Sequence, residues 1–165
     1  MEAIKQKEQK DLVIGIDPDL EKSGIAITGH QQILTLFALP FSQVVALIES
    51  YPDAVFVVED VEYNKPVFNR HLAVRANLKV AQNVGMVKAV ARLIINTLTE
   101  KDCRFVKVPP LKGRFKQAKK DRAYFSRLTG WEAGCNEDMR DAALLALYGR
   151  RNPKALVLRP SEVPH

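Results

Sequence analysis

"LVIGIDPDLEKSGIAITGHQQILTLFAL", residues 12–39, is the stretch from which the fold can be read. Residues 12–17 are rich in Val and Ile and alternate weakly, which predicts a buried strand. Residues 25–28 and 32–39 read as two more strands, with "TGHQQ" as the turn between them. Strands this close in sequence pair antiparallel, because parallel neighbours need a longer crossover. The first strand ends in Asp17. An apolar run facing a core does not end in a carboxylate unless something compensates the buried charge.

Further along, Ser42 is placed to cap a helix over residues 42–49, whose buried face is Val44, Val45, Leu47 and Ile48. "DAVFVVEDV" (residues 53–61) is the next strand, with Val55, Val57 and Glu59 on one side. Apolar residues recur at helical spacing over residues 71–98 without a Pro, which predicts one long helix. Gly85 inside it costs about 1 kcal/mol against Ala, so a close packing contact is expected there. "CRFVKV" (103–108) is a fifth strand, ended by Pro109 and Pro110. A helix over residues 119–128 should stop at Gly130. Another over 136–148 should be capped by Asn136 and stopped by Gly149. The order is an α/β arrangement with a five-stranded mixed sheet, a three-stranded antiparallel meander plus two parallel strands, flanked by helices. No repeat or linker divides the chain. One domain is expected over residues 1–165, with a polar segment at 1–10 and a Pro-containing tail at 151–165.

The opening "MEAIKQKEQK" lacks the apolar core of a secretory signal. No apolar run approaches the roughly 20 residues that span a bilayer. Cys103 and Cys135 lack zinc-site spacing and are too few for a disulfide framework. A cytoplasmic protein with reduced thiols and no membrane partner is expected. Of the net charge of +6, residues 101–127 supply more than all: ten Lys or Arg against Asp102 and Asp121 leave +8, so the rest sums to −2. Such a block is either a solvated face or a phosphate-binding surface that displaces counterions from nucleic acid. Its candidate contacts are Lys107, Lys112, Arg114, Lys116, Lys119 and Lys120.

Asp17 and Glu59 each end a predicted strand, where ligands bind in α/β sheets. In "NEDMRDAALLALYG" (136–149), Asp138 and Asp141 stand three residues apart on one helix face that continues into Leu144, Leu145 and Tyr148. Four inward-facing acids repel unless cations neutralise them, and an all-oxygen site suits Mg²⁺ or Mn²⁺. Such a site supports two-metal phosphodiester cleavage, with ions about 3.5–4 Å apart on the attacking and leaving oxygens. Simpler roles stay open. Asp17 could cap the turn before Pro18, Asp60 or Glu62 could replace Glu59, and Asp138 could serve only the helix dipole.

These motifs resemble the RuvC family of Holliday-junction resolvases, in the RNase H-like superfamily, over about residues 12–148. "IGIDPDLEKSGIAI" is similar to the family's first strand and hairpin with its catalytic Asp, here Asp17. "VFVVEDV" resembles the strand ending in the catalytic Glu, here Glu59. "LKVAQNVGMVKAV" resembles the start of the long helix, and "DMRDAALLAL" the terminal acidic helix with Asp138 and Asp141. The resemblance implies a magnesium-dependent homodimer, with two ions per site, that makes paired nicks in a four-way DNA junction. It also implies a role in DNA recombination and repair. Three departures stand out. Asp19 replaces a usual Gly and is expected to accommodate a left-handed turn. The aromatic wedge that commonly follows the Glu is absent at its usual place, with Tyr63 one residue displaced as a candidate to stack on a base. No basic helper precedes the last acid, which leaves Lys107, Lys112 or Lys116 to approach the site.

Competing readings are another RNase H-like nuclease acting on RNA, an RNA–DNA hybrid or non-junction DNA, and a nucleic-acid-binding protein without catalysis. A third is one lobe of an actin-like ATP-binding protein. That class needs two such lobes, and the chain supplies one.

Overall fold

Three strands, β1 (Leu12–Asp17), β2 (Ser23–Gly29) and β3 (Gln32–Leu39), form the expected meander in a computed structural model that describes residues 8–63 and 73–165. His30 and Gln31 turn the second hairpin with φ of 49° and 62°. Two consecutive left-handed residues match the twist of the strands they join. After β3 come helix α1 (Phe41–Ser50), β4 (Val55–Glu59), helix α2 (Val74–Glu100) and β5 (Arg104–Val108). The sheet order is β3-β2-β1-β4-β5, with β4 parallel to both β1 and β5. This is the mixed five-stranded sheet that the sequence predicts.

The two faces of the sheet follow from strand alternation. Ile14, Ile16, Ile25, Phe56 and Val58 point to one face, where Val44 and Ile48 of α1 and Ile94 and Leu98 of α2 close the main core. Gly15, Asp17, Val57 and Glu59 belong to the other face. Helices α3 (Arg114–Lys120), α4 (Arg122–Thr129) and α5 (Glu137–Tyr148) cover it through Ala118, Phe125, Ala142, Leu144 and Leu145. Cys103 and Cys135 are both free thiols. No helix among the described residues is long and apolar enough to cross a membrane.

Several local expectations are corrected. Helix α1 is capped by Pro40, with no side-chain bond, rather than by Ser42. Pro40 lacks an N–H, ends the β3 ladder and lets the helix start at once, leaving Ser42 inside the first turn. The long helix runs to Glu100, two residues past the expected end, and residues 71 and 72 of the expected start lie outside those described. Among the described residues Gly85 makes no close contact: a Cβ there would meet nothing within 4 Å. Only Ala91, Ile94 and Leu98 of α2 are buried, all in its second half. The single helix expected over 119–128 is two helices. Asp121 (φ −106°, ψ 104°) leaves helical geometry and accepts a bond from Tyr124 N–H at 3.0 Å, as an N-cap does. Gly130 (φ 76°) ends α4 and Asn136 caps α5 through Met139 N–H, as expected.

Candidate metal centre

Two glycines bring α5 down onto the sheet. A Cβ at Gly15 would lie 1.9 Å from the Ala142 carbonyl oxygen, and one at Gly24 would lie 2.2 Å from that of Asp138. Any side chain at either position would push the helix away. Gly24 pairs with Asp17 across the β1–β2 ladder, so the acidic first turns of α5 settle directly over the end of β1. The parallel β1–β4 register aligns Gly15 with Val57 and Ile16 with Val58. One step further along both strands stand Asp17 and Glu59.

The result is a triad of acids. Asp17, Glu59 and Asp141 each offer an oxygen, and the three oxygens all lie within 4.8 Å of one another. Asp17 and Asp141 are buried, at 6% and 2% exposure, while Glu59 is half-buried. Burial pushes the Asp17 carboxyl up to about 9, helped by Asp141 and Glu59 and opposed by Lys119. Burial and then Asp141 also raise Glu59. Asp138 lies outside the triad. Its carboxyl is raised by burial and then by Asp19 of the β1–β2 loop.

The acids that competed with Glu59 are engaged elsewhere. Asp60 Oδ1 accepts from Glu62 N–H at 3.1 Å, and Glu62 pairs with Arg92 of α2. Asp19 is not in a left-handed turn: among the described non-glycine residues only His30, Gln31 and Asp102 have positive φ. Its N–H donates to Ser23 Oγ at 3.2 Å instead.

Among the described residues one cation enters the cluster, and it is not one of the three lysines expected to approach. Lys119, at the end of α3, donates from Nζ to Asp141 Oδ2 at 2.7 Å and stands 3.9 Å from Asp17 Oδ2. Burial would lower its ammonium, but Asp141 and Asp17 hold it above its ordinary value. Arg140 fixes this placement. Buried beside Asp141 in sequence, it donates from Nε to the Lys119 carbonyl at 2.7 Å and from Nη1 to the Cys135 carbonyl at 3.0 Å. Its guanidinium thereby ties the open carbonyl end of α3 to α5. Sequence reading placed Lys119 on the basic surface and gave Arg140 no role; adjacency to Asp141 was the only available signal for Arg140.

The donor set fits a hard divalent cation. All three ligand groups are carboxylates, which suit Mg²⁺ or Mn²⁺. Lys119 supplies one positive charge against three acids, so the cluster retains capacity for further positive charge. The remaining basic candidates, Lys107, Lys112, Arg114, Lys116 and Lys120, are exposed, as is Tyr63 at 55%. A cavity of about 330 Å³ opens from Glu59 toward α2, lined by Val61, Val84, Val87, Lys88 and Pro110.

No protein-family model matches the chain, and no curated protein sequence matches it. Solved structures do. "T. thermophilus RuvC in complex with Holliday junction substrate" matches with a TM-score of 0.54 and 17% identity, over 82% of this chain and 90% of that one. "Thermus thermophilus RuvC structure" matches at 0.51 and 15%, over 82% and 91%. The chain therefore has a RuvC-like, RNase H-like fold, in a sequence far diverged from those neighbours.

Proposed function

We propose that this protein is a divergent member of the RuvC family, a metal-dependent endonuclease that cuts phosphodiester bonds in branched DNA and resolves four-way junctions by paired nicks. The observation that carries this reading is the gathering of Asp17, Glu59 and Asp141 within 4.8 Å, from three elements distant in sequence, at the end of a RuvC-like sheet. Mg²⁺ bound there, most naturally as two ions, would generate hydroxide from water near neutral pH and neutralise the attacking and leaving oxygens. Asp17, Glu59 and Asp141 would hold it, and Asp138 would serve as a further carboxylate at the margin. Lys119 keeps the buried acids from repelling one another before metal arrives. Being in contact with both Asp17 and Asp141, it also presents an ammonium close to where a scissile phosphate would lie.

Exposed Lys107, Lys112, Arg114, Lys116 and Lys120 would carry the flanking DNA backbone by displacing its counterions, and Tyr63 would offer a ring for stacking. The RuvC neighbour bound to a Holliday junction supports DNA as the nucleic acid. A homodimer fits the first half of α2, where Val74, Leu78 and Val80 are exposed and a Cβ at Gly85 would meet nothing within 4 Å among the described residues. Such a protein would act in recombination and repair, in the cytoplasm.

The test is cleavage, by the purified full chain with and without Mg²⁺, of a mobile four-way junction, a linear duplex and an RNA–DNA hybrid. Symmetric magnesium-dependent nicks confined to the junction are expected. Cleavage of the hybrid alone would reassign the substrate, and no cleavage of any would sink the nuclease reading.

A further inference from the structure

Among the described residues strand β5 is the edge of the sheet, paired only with β4. Its backbone orientation can be derived. The Val108 carbonyl accepts from Asp60 N–H at 2.7 Å, so the polar backbone groups of Val108 face β4. Alternation along a strand turns those of Phe105 and Lys107 the other way, toward the open edge. Natural proteins usually cover or charge such an edge, because it is a template for another strand.

Here the chain after α5 passes over the edge without pairing to it. It leaves α5 at Gly149 and makes an Asx turn in which Asn152 Oδ1 accepts from Lys154 N–H. It is next fastened at Arg159, whose guanidinium bonds the Pro52 and Asp102 carbonyls and Asp53. Between these anchors no hydrogen bond among the described residues joins this strap to β5. Strand and strap instead enclose a groove of about 660 Å³. Successive residues from Phe105 to Pro109 line it, which places it along the strand's edge rather than over one face. Its walls are aliphatic, from Val106 to Leu156, Val157 and Leu158. Its charged lining residues are Lys107, Arg150 and Arg151, with no acid among the described residues.

From this geometry we infer that the groove between β5 and the strap is a docking site for an extended, acidic-aliphatic peptide segment of a partner protein, which adds to the sheet as a sixth strand. The unpaired groups of Phe105 and Lys107 give the backbone bonds. The aliphatic walls take alternate side chains, and Arg150 and Arg151 meet the acids between them. A nucleic-acid strand fits less well: its phosphates would meet the cations, but it has no use for strand-spaced donors or for aliphatic walls. Excess positive charge at the site has a second sign. Arg104 lies near Arg150 and, after burial, helps to lower the Arg150 guanidinium, and Arg104 Nε is buried without a hydrogen-bond partner.

The experiment titrates the full chain into a fluorescein-labelled peptide of about eight residues alternating glutamate and valine, long enough to span β5. Parallel titrations use the lysine–valine counterpart, the acidic peptide with alternate amides N-methylated, and oligothymidine of equal length. Binding of the acidic peptide but not of its lysine–valine counterpart is expected, with slowed amide exchange at Phe105 and Lys107 and none at Phe56. Any oligothymidine binding should be indifferent to substitution of Arg150 and Arg151. Arg150→Glu with Arg151→Glu should weaken binding of the acidic peptide by about tenfold or more. The N-methylated peptide tests backbone pairing without altering the protein, and its binding as well as the parent would overturn the inference. So would no binding of the acidic peptide, or oligothymidine binding in its place that the double variant abolishes. None of these outcomes depends on nuclease activity.

Discussion

Opposite ends of the sheet each hold a cluster of charged groups, and they are built on opposite principles. At the start of β4 and β5, Arg159 pairs with Asp53 at 2.8 Å. Asp102 accepts from Ser161 N–H at 2.9 Å and from Ser161 Oγ at 2.6 Å. Each acid there has its own donor, and the Ser161 bonds hold the Asp102 carboxyl below its ordinary range. At the other end of β1 and β4, three acids share Lys119, and burial drives Asp17 up to about 9. The first cluster is complete and fastens the chain. The second keeps unbalanced negative charge under a helix, which costs stability in a protein that does not use it. A structure retains such a cluster when a cation ligand supplies what the side chains do not.

The sharpest way to break this contrast is to remove one acid from the unbalanced end. Asp17→Asn, Glu59→Gln or Asp141→Asn should each slow single-turnover junction cleavage by about 10³-fold or more, because each removes charge that holds the cation and the transition state. Junction affinity, read by gel shift in Ca²⁺, should stay unchanged or tighten. A variant that cuts at the wild-type rate would remove that residue from the site. Next in size is Lys119→Met. It should slow cleavage by roughly 10²–10³-fold at saturating Mg²⁺, the scale of removing one donor positioned at a developing charge. It should also lower the Mg²⁺ concentration giving half the maximal rate, since a competing cation is gone. A higher requirement would show that Lys119 helps to hold the metal site together rather than competing in it.

How far this contrast could be read from residues alone differs between its two halves. The mixed five-stranded sheet and the inward direction of Asp17 and Glu59 were legible, because strand spacing and alternation along β1 and β4 are local properties of the chain. So was Asp141, at the head of an apolar stripe on α5. Lys119 was not. Its approach depends on Asp121 splitting α3 from α4 and on Arg140 holding the end of α3, and neither follows from periodicity. Gly85 misled for a related reason: an interior helical glycine signals a close neighbour, and the described residues provide none for it. Gly15 and Gly24, which set the helix over the acids, read simply as strand residues until the crossing of α5 is known. The Arg159 clamp escaped notice because it joins positions 106 or more residues apart to one guanidinium along with Asp102, far outside any local pattern.

A smaller effect sharpens the electrostatic side of the comparison. The folded-state Asp17 carboxyl sits near 9 against an ordinary 3.8, so the metal-free fold holds a proton that the unfolded chain releases. Its contribution is fully present below pH 3.8 and is lost as pH rises through about 9. Binding a divalent ion must displace that proton, so affinity should strengthen with pH over the same window. At a hundredfold excess over Kd, Mg²⁺ adds about 2.7 kcal/mol, or roughly 5–10 °C in Tm for a chain of this size. Calorimetry at pH 6 and pH 8 should show the larger gain at pH 8. Asp17→Asn should remove that gain while raising the metal-free Tm.

The balanced cluster should respond in the opposite sense, and more weakly. Arg159→Ala removes bonds to Asp53 and to two carbonyls, groups that are partly buried, and should cost about 1–2 kcal/mol, lowering Tm by a few degrees with or without Mg²⁺. Cleavage per folded molecule should not change, because Arg159 fastens the chain at the end of the sheet away from the acids. Asp102, with its carboxyl held low, contributes stability that is present above its ordinary 3.8 and lost as pH falls below it, the reverse of Asp17. Acid should therefore loosen the strap well below the pH at which Asp17 has taken up its proton, and limited proteolysis after Leu158 at low pH would register that loosening. If Arg159→Ala abolished cleavage while leaving Tm untouched, the two ends of the sheet would be coupled, and the separation of fastening from catalysis would fail.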